Sequence, residues 1–200
     1  MRIVLASQSP SRAGILRGAG VEPVLHPADV DERAIETKLA DAPAADVVSA
    51  LAAAKARAVA PLYPGDVVIG GDSMLLLDGE LQGKPHTVDK TVARWKEQAG
   101  RSAELLTGHC IIFNGPAGPQ EFRETARTTV RFAAASDADI EAYARTGEPL
   151  ECAGAFTLEA LGGWFIDSID GDPSSVIGLS LPVVRRALYE FGLDVSQFWS

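Results

Sequence analysis

The sequence predicts an α/β protein with a mixed sheet and two lobes about a central cleft. Three observations carry that expectation. Strand-like and helix-like segments alternate along the chain, and hairpin signals interrupt them at Asp78-Gly79 and again at Gly115-Pro116-Ala117-Gly118-Pro119. No repeat, low-complexity tract or long linker divides the 200 residues into independent domains. A chain of this length buries roughly 70% of its unfolded surface, enough for a sizeable core, so residues 1–200 are expected to form one domain.

Each element has its own local signal. Ile3-Val4-Leu5-Ala6 reads as a short buried strand, and Ser9-Pro10 supplies an N-cap and a first-position proline for a helix reaching Gly18 or Gly20. Pro23 to His26 suits a second strand. The acidic stretch Asp29-Val30-Asp31-Glu32 is expected as a loop leading to an alanine-rich helix from about Ala44 to Ala60, which Pro61 and Pro64-Gly65 terminate. Asp66 to Leu77 is strand-like and turns at Asp78-Gly79 into Glu80-Leu81-Gln82, followed by a helix over Val88 to Gln98. Leu105 to Asn114 and Glu121 to Phe132 make the second hairpin, and a helix follows from Ser136 or Asp137 to Arg145. Trp164 to Ile169 reads as a strand, Asp170-Gly171-Asp172-Pro173 as a turn, and Leu181 to Phe191 as a helix capped by Ser180.

Composition excludes several functions. Apolar residues make up 46% and charged residues 22%, ordinary for a soluble globule. Eighteen Lys and Arg against twenty-seven Asp and Glu leave a net charge of −9, the wrong sign for gripping duplex nucleic acid. Cys110 and Cys152 form neither a zinc signature nor a disulfide framework, which points to a reducing cytoplasm. The apolar start is too short for a secretory signal, and nothing approaches the run of about 18 apolar residues that spans a membrane. There is no G-x-G-x-x-G, H-E-x-x-H or G-x-S-x-G, and Gly79-Glu80-Leu81-Gln82-Gly83-Lys84-Pro85 lacks the spacing and the hydroxyl of a P-loop.

Asp72 is the most informative residue. It follows Val67-Val68-Ile69-Gly70-Gly71 and precedes Met74-Leu75-Leu76-Leu77, where an ionised carboxylate needs a cation or hydrogen-bond donors. The paired glycines admit close approach of another backbone or a ligand. Asp72 is therefore either a site carboxylate or a strand-end aspartate salt-bridged for structure. Lys55 shares a helical stripe with Val48, Ala52 and Val59, so it either meets an anion or snorkels past the core edge. Lys84 stands between a glycine and Pro85, and Arg12 lies in the first turn of the helix opening at Ser9, where free N–H groups already favour anions. With Asp31, Glu32 and Asp72, these cations suggest phosphates held beside a divalent metal, which explains how an acidic protein binds a polyanion. His86 and His109 have no second histidine at ligand spacing and read as structural or surface residues. Trp95, Trp164 and Trp199 read as core or interface anchors, since no clustered basic residues surround them.

The string Leu5-Ala6-Ser7-Gln8-Ser9-Pro10-Ser11-Arg12 resembles the opening signature of the Maf family of nucleoside triphosphate pyrophosphatases. Further segments resemble that family in the right order. They are Ala53-Ala54-Lys55-Ala56, Gly71-Asp72-Ser73 with Gly83-Lys84-Pro85, Leu106-Thr107-Gly108-His109, Gly147-Glu148-Pro149 with Ala153-Gly154-Ala155-Phe156, and Asp170-Gly171-Asp172 through Val176-Ile177-Gly178-Leu179. The resemblance implies an elongated fold with a cleft, similar to that of inosine triphosphatases, and a homodimer. It implies hydrolysis of a nucleoside triphosphate to monophosphate and pyrophosphate with a divalent cation, Mg²⁺ or Mn²⁺, in house-cleaning of unwanted or excess nucleotides. By position, Asp72 matches the general base or metal carboxylate, Arg12, Lys55 and Lys84 the phosphate-binding cations, and Glu32 an acidic residue near the metal. Ser7, Ser9, Ser11 and Ser73 are the expected substrate-binding hydroxyls.

This chain departs from the family in three places. Ser11 stands where a first arginine is usual, Ser73 follows the aspartate where Thr or Gln is common, and Phe156-Thr157-Leu158-Glu159 ends in a glutamate where many members have glutamine. A glutamate at the base accepts hydrogen bonds only, which favours the donor-rich edges of cytosine or guanine. The alternative for Glu159 is a solvent-facing or ion-paired side chain. The missing arginine also admits a second function, a nucleotide sensor acting on division that binds without turnover.

Overall fold

The computed structural model describes residues 1–200. In chain order the elements are β1 (Ile3–Leu5), α1 (Pro10–Gly18), β2 (Val24–Leu25), α2 (Glu32–Lys38), α3 (Ala44–Val59), β3 (Val67–Leu77), β4 (Glu80–Gln82), α4 (Val88–Gln98), β5 (Ser102–Gly115), β6 (Gly118–Phe132), α5 (Asp137–Arg145), β7 (Ile166–Asp170), α6 (Pro173–Ile177) and α7 (Leu181–Glu190). The seven strands form one mixed sheet in the order β2-β1-β3-β5-β6-β7, with β4 paired to β3. β1 pairs in parallel with both β2 and β3, placing Val4 opposite Val24 and Val68. β3 and β4 are antiparallel about the Asp78-Gly79 turn, where both residues take positive φ. That is the geometry a two-residue type I′ turn requires. The mixed α/β fold expected from the sequence is the fold found.

By its contacts the chain divides into two compact units. The first contains Met1–Asp72, Thr107–Ala126 and Gly178–Ser200, and the second contains Ser73–Leu106 and Arg127–Ile177. The first unit has two apolar clusters, one with Leu5, Leu16, Ile69, Ile111, Leu179 and Leu188, the other with Val4, Ala52, Ala56, Val68 and Cys110. The second unit packs around Trp95, whose ring meets Phe132, Tyr143 and Phe165 in edge-to-face contacts with centroids 5.6–5.7 Å apart. The indole N–H donates to the Ala155 carbonyl at 2.7 Å. Trp95 is thus a core anchor, whereas Trp164 and Trp199 are 83% and 62% exposed.

Several expectations need correction. Glu32 does not sit in a loop but opens α2, which Asp31 caps by accepting from the Ala34 N–H at 3.0 Å. The turn expected at Asp170–Pro173 continues directly into α6. Residues 161–165 form a 3₁₀ segment, so the last strand starts at Ile166 rather than Trp164. The second hairpin turns over Pro116-Ala117 alone, since β5 and β6 run further than their apolar residues suggested. No helix is long and apolar enough to cross a membrane, and both cysteines are free thiols. Burial pushes the Cys110 thiol up to about 12 and the Cys152 thiol up to about 11.

Candidate active site

The site in the first unit is organised by two close approaches to the sheet. A Cβ at Gly70 on β3 would fall 2.2 Å from the Ala52 carbonyl oxygen and 2.7 Å from the Ala56 nitrogen. One at Gly108 on β5 would fall 2.3 Å from the Val48 carbonyl oxygen. Neither distance tolerates a side chain, so the backbone of α3 rests directly on these glycines. Val47, Val48, Leu51, Ala52, Ala53, Ala56 and Val59 are buried on this helix, and Lys55 is the one charged residue buried with them. The apolar stripe that hid Lys55 in the sequence thereby carries it to the sheet.

Lys55 Nζ donates to Asp72 Oδ1 at 2.7 Å and lies 3.0 Å from Glu32 Oε2. Lys55 and Asp72 are buried, while Glu32 is about half exposed at the start of α2. An ammonium between two carboxylates satisfies the cation that Asp72 needs inside an apolar strand. Glu36, one turn beyond Glu32, has its carboxyl pushed up by partial burial and by the charges of Asp72 and Glu32. The sequence reading did not find Glu36. Its only sequence signal is the four-residue spacing from Glu32, which has no meaning until α2 is known to be helical.

Arg12 completes the group. Its Nε donates to the Gly178 carbonyl at 2.8 Å and its Nη1 to Ser7 Oγ at 3.1 Å. Gly71, beside Asp72, faces the guanidinium, and a Cβ there would lie 3.4 Å from Arg12 Nε, an ordinary van der Waals contact. Burial lowers the Arg12 pKa while the Asp72 and Glu32 charges raise it, with a net downward direction. Ser9 caps α1 by accepting from the Arg12 N–H, and Ser7 Oγ accepts from the Ser9 N–H at 3.1 Å. Ser11 is half-buried in the first turn of α1. The paired glycines predicted near Asp72 thus receive different neighbours, Gly70 a helix backbone and Gly71 an arginine side chain.

The remaining candidates belong to the second unit. Lys84 is exposed and pairs with Glu151 Oε2 at 3.4 Å, while His86 Nδ1 lies 3.0 Å from the other oxygen of the same carboxylate. Ser73 is half-buried on β3. Glu159 is exposed, and its own carboxylate accepts from the Leu158 N–H at 3.1 Å. The loop carrying it is organised by Glu148, which accepts from Tyr143 Oη, Thr157 Oγ1 and the N–H groups of Leu161 and Gly162. Burial pushes the Glu148 carboxyl up, but these bonds outweigh it and hold the carboxyl below its ordinary value.

No three His, Cys, Asp or Glu side chains are arranged to hold a metal. The donor set at Lys55 is two carboxylates, hard oxygen ligands of the kind Mg²⁺ and Mn²⁺ take together with water and substrate phosphates. These residues fit such an ion only as a partial shell.

The chain is 75% identical over 200 residues to the nucleoside triphosphate pyrophosphatase of Corynebacterium aurimucosum, covering 100% of this chain and 99% of that protein. It is 71% identical over 200 residues to the protein of the same name from Corynebacterium diphtheriae, with 100% and 99% covered, and 55% identical over 203 residues to that of Nocardia farcinica, with 98% and 96% covered. The family described as "Maf-like protein" matches residues 2–191, and the chain belongs to it.

Proposed function

We propose that this chain is a nucleoside triphosphate pyrophosphatase, cleaving the bond between the α-phosphorus and the bridging oxygen to the β-phosphorus. The observation that carries the reading is the buried Lys55 ammonium between Asp72 and Glu32, and the charges of the same carboxylates also act on Arg12. The names of the full-length relatives support the same reaction class. A triphosphate needs cations to neutralise its oxygens and a carboxylate to take a proton from water, and both occur here in one unit. Arg12 and Lys55 bind phosphate oxygens, and the first turn of α1, with Ser7, Ser9 and Ser11, offers further donors. Lys84 and Ser73 are assigned to the substrate on the family resemblance. Asp72 accepts the proton of the attacking water as its oxygen bonds to the α-phosphorus, and pyrophosphate leaves with the electron pair of the broken bond. A divalent cation held by Asp72 and Glu32 would supply charge neutralisation at the phosphoryl oxygens. Glu159, an acceptor-only carboxylate, selects cytosine or guanine edges over uracil and thymine. The reading includes a cytoplasmic homodimer, for which sedimentation velocity is the direct measurement of assembly.

The test is incubation with a panel of ordinary and modified nucleoside triphosphates and Mg²⁺ or Mn²⁺, with monophosphate and pyrophosphate quantified. Equimolar monophosphate and pyrophosphate are expected, with Asp72→Asn lowering turnover about 10²-fold or more while remaining folded. Binding without products would instead establish a sensor, and release of single phosphates would overturn the cleavage site. Running Glu159→Gln on the same panel reads the base preference, which should shift toward uridine and thymidine triphosphates by about tenfold in relative kcat/KM.

A further inference from the structure

His109 lies on β5 with its ring fully buried, and nothing in the proposed reaction uses it. Its Nε2 accepts from the Ser180 N–H at 2.8 Å. An Nε2 that accepts carries no proton, so the neutral ring bears its hydrogen on Nδ1. That Nδ1 meets no partner in good hydrogen-bond geometry, and only the Glu124 and Thr107 backbone acts on the ring from that strand region. The acceptor at Nε2 is therefore the well-formed polar contact that this site gains from a histidine. Burial, reinforced by the nearby Arg12 charge, lowers the imidazole pKa to about 4 and keeps the ring neutral at ordinary pH.

The bond to Ser180 acts on a short segment fixed at both ends. Ser180 caps α7 by accepting from the Val183 N–H at 3.2 Å, and two residues earlier the Gly178 carbonyl receives Arg12 Nε. Gly178 has a φ of 132°, a backbone setting that only glycine adopts readily. The direction of its carbonyl therefore depends on how the following peptides are held. With Ser7 Oγ taking Nη1 and the Gly178 carbonyl taking Nε, two of the guanidinium's donors are held where its edge faces Gly71.

We infer that His109 is a positioning residue for Arg12, acting through the Gly178–Ser180 segment to aim the guanidinium at the substrate phosphates. The inference rests on Arg12 binding the triphosphate as proposed above.

The experiment is steady-state kinetics on the full chain with a nucleoside triphosphate and Mn²⁺, comparing His109→Asn and His109→Gln, each with and without Arg12→Ala. Gln places an amide oxygen near the Nε2 position, whereas the shorter Asn does not reach Ser180. His109→Asn should raise KM about tenfold with kcat changed less than about threefold, and His109→Gln should stay near the parent. In the Arg12→Ala background His109→Asn should add less than about twofold, because the group it positions is gone. Equal effects of Asn and Gln, or an Asn effect that multiplies fully with Arg12→Ala, would overturn the inference while leaving the proposed function intact. An Arg12→Ala variant with unchanged kcat/KM would overturn both the phosphate role of Arg12 and this inference. Should His109→Asn fail to fold, His109→Leu removes the Nε2 acceptor while keeping a buried side chain of similar bulk, and the same KM rise and the same loss of effect without Arg12 are required of it.

Discussion

Removing Lys55 tests the ion pair from the side of stability rather than catalysis. Lys55→Met keeps the length of the stem but leaves the Asp72 carboxylate buried without its cation. Such a loss costs about 3–5 kcal/mol. Adding Asp72→Asn to that variant removes the stranded charge and should restore much of the stability, which urea unfolding of the three variants would measure. His109 makes a second prediction at this scale, through pH. Its folded pKa of about 4 lies below the ordinary histidine value near 6.5, so between these limits the unfolded chain binds the extra proton. Stability from His109 is complete above about pH 6.5 and is lost as pH falls through about 4, amounting to roughly 3 kcal/mol. Thermal unfolding from pH 7 to pH 4 should therefore fall more steeply for the parent than for His109→Gln. Equal slopes would show that carboxylates alone account for the acid sensitivity.

Among the elements, α3 bears most directly on the site, because its distance from the sheet sets where Lys55 ends. Gly70→Ala puts a methyl carbon into the Ala52 carbonyl, and backbone must move. The overpacking costs about 1–3 kcal/mol, and a displacement of about 1 Å at Lys55 would lower kcat/KM by about 10²-fold. Gly14→Ala on α1, where a Cβ meets nothing within 4 Å, is the control and should leave both quantities close to the parent. The same element scale explains what the sequence made legible. α1 announced itself through Ser9 and Pro10, α3 through its apolar stripe, and the first hairpin through Asp78-Gly79, because each signal is local. α2 has seven residues with none buried, and α6 has five, so neither carries an apolar period. Asp72 and Lys55 stood out as charges in apolar surroundings. The His109–Ser180 and Arg12–Gly178 bonds join residues 71 and 166 positions apart, and no local pattern encodes such pairings.

For the molecule as a whole, the net charge is −9, and the surplus of acidic residues is spread over the chain. At the site, cations and carboxylates balance: Lys55 lies between Asp72 and Glu32, and the charges of both carboxylates act on Arg12. On the proposed function, a polyanion is met by these few groups rather than by the surface. Each unit also has its own apolar core, and the second can be followed separately. With Trp164 and Trp199 replaced by Phe, the remaining emission comes from buried Trp95 and should be blue-shifted until the second unit unfolds. Phe132→Ala, which removes an edge-to-face partner of Trp95, should lower the stability read by that emission by about 3–5 kcal/mol. An unchanged midpoint would show that Trp95 does not report on this core.

The first unit is assembled from three stretches of chain, and the last of them supplies the carbonyl that holds Arg12. During translation, Gly178 is added 166 residues after Arg12, a delay of about 8–33 s at roughly 5–20 residues per second. Once Asp72 has been added, and until Gly178 follows, the nascent chain has Arg12, Lys55 and Asp72 but lacks the contact between Arg12 and the Gly178 carbonyl. On the proposed function, a ribosome-bound or prematurely terminated product ending before Gly178 carries Asp72 without an oriented Arg12, so incomplete synthesis is expected to yield an idle protein and not an unregulated hydrolase.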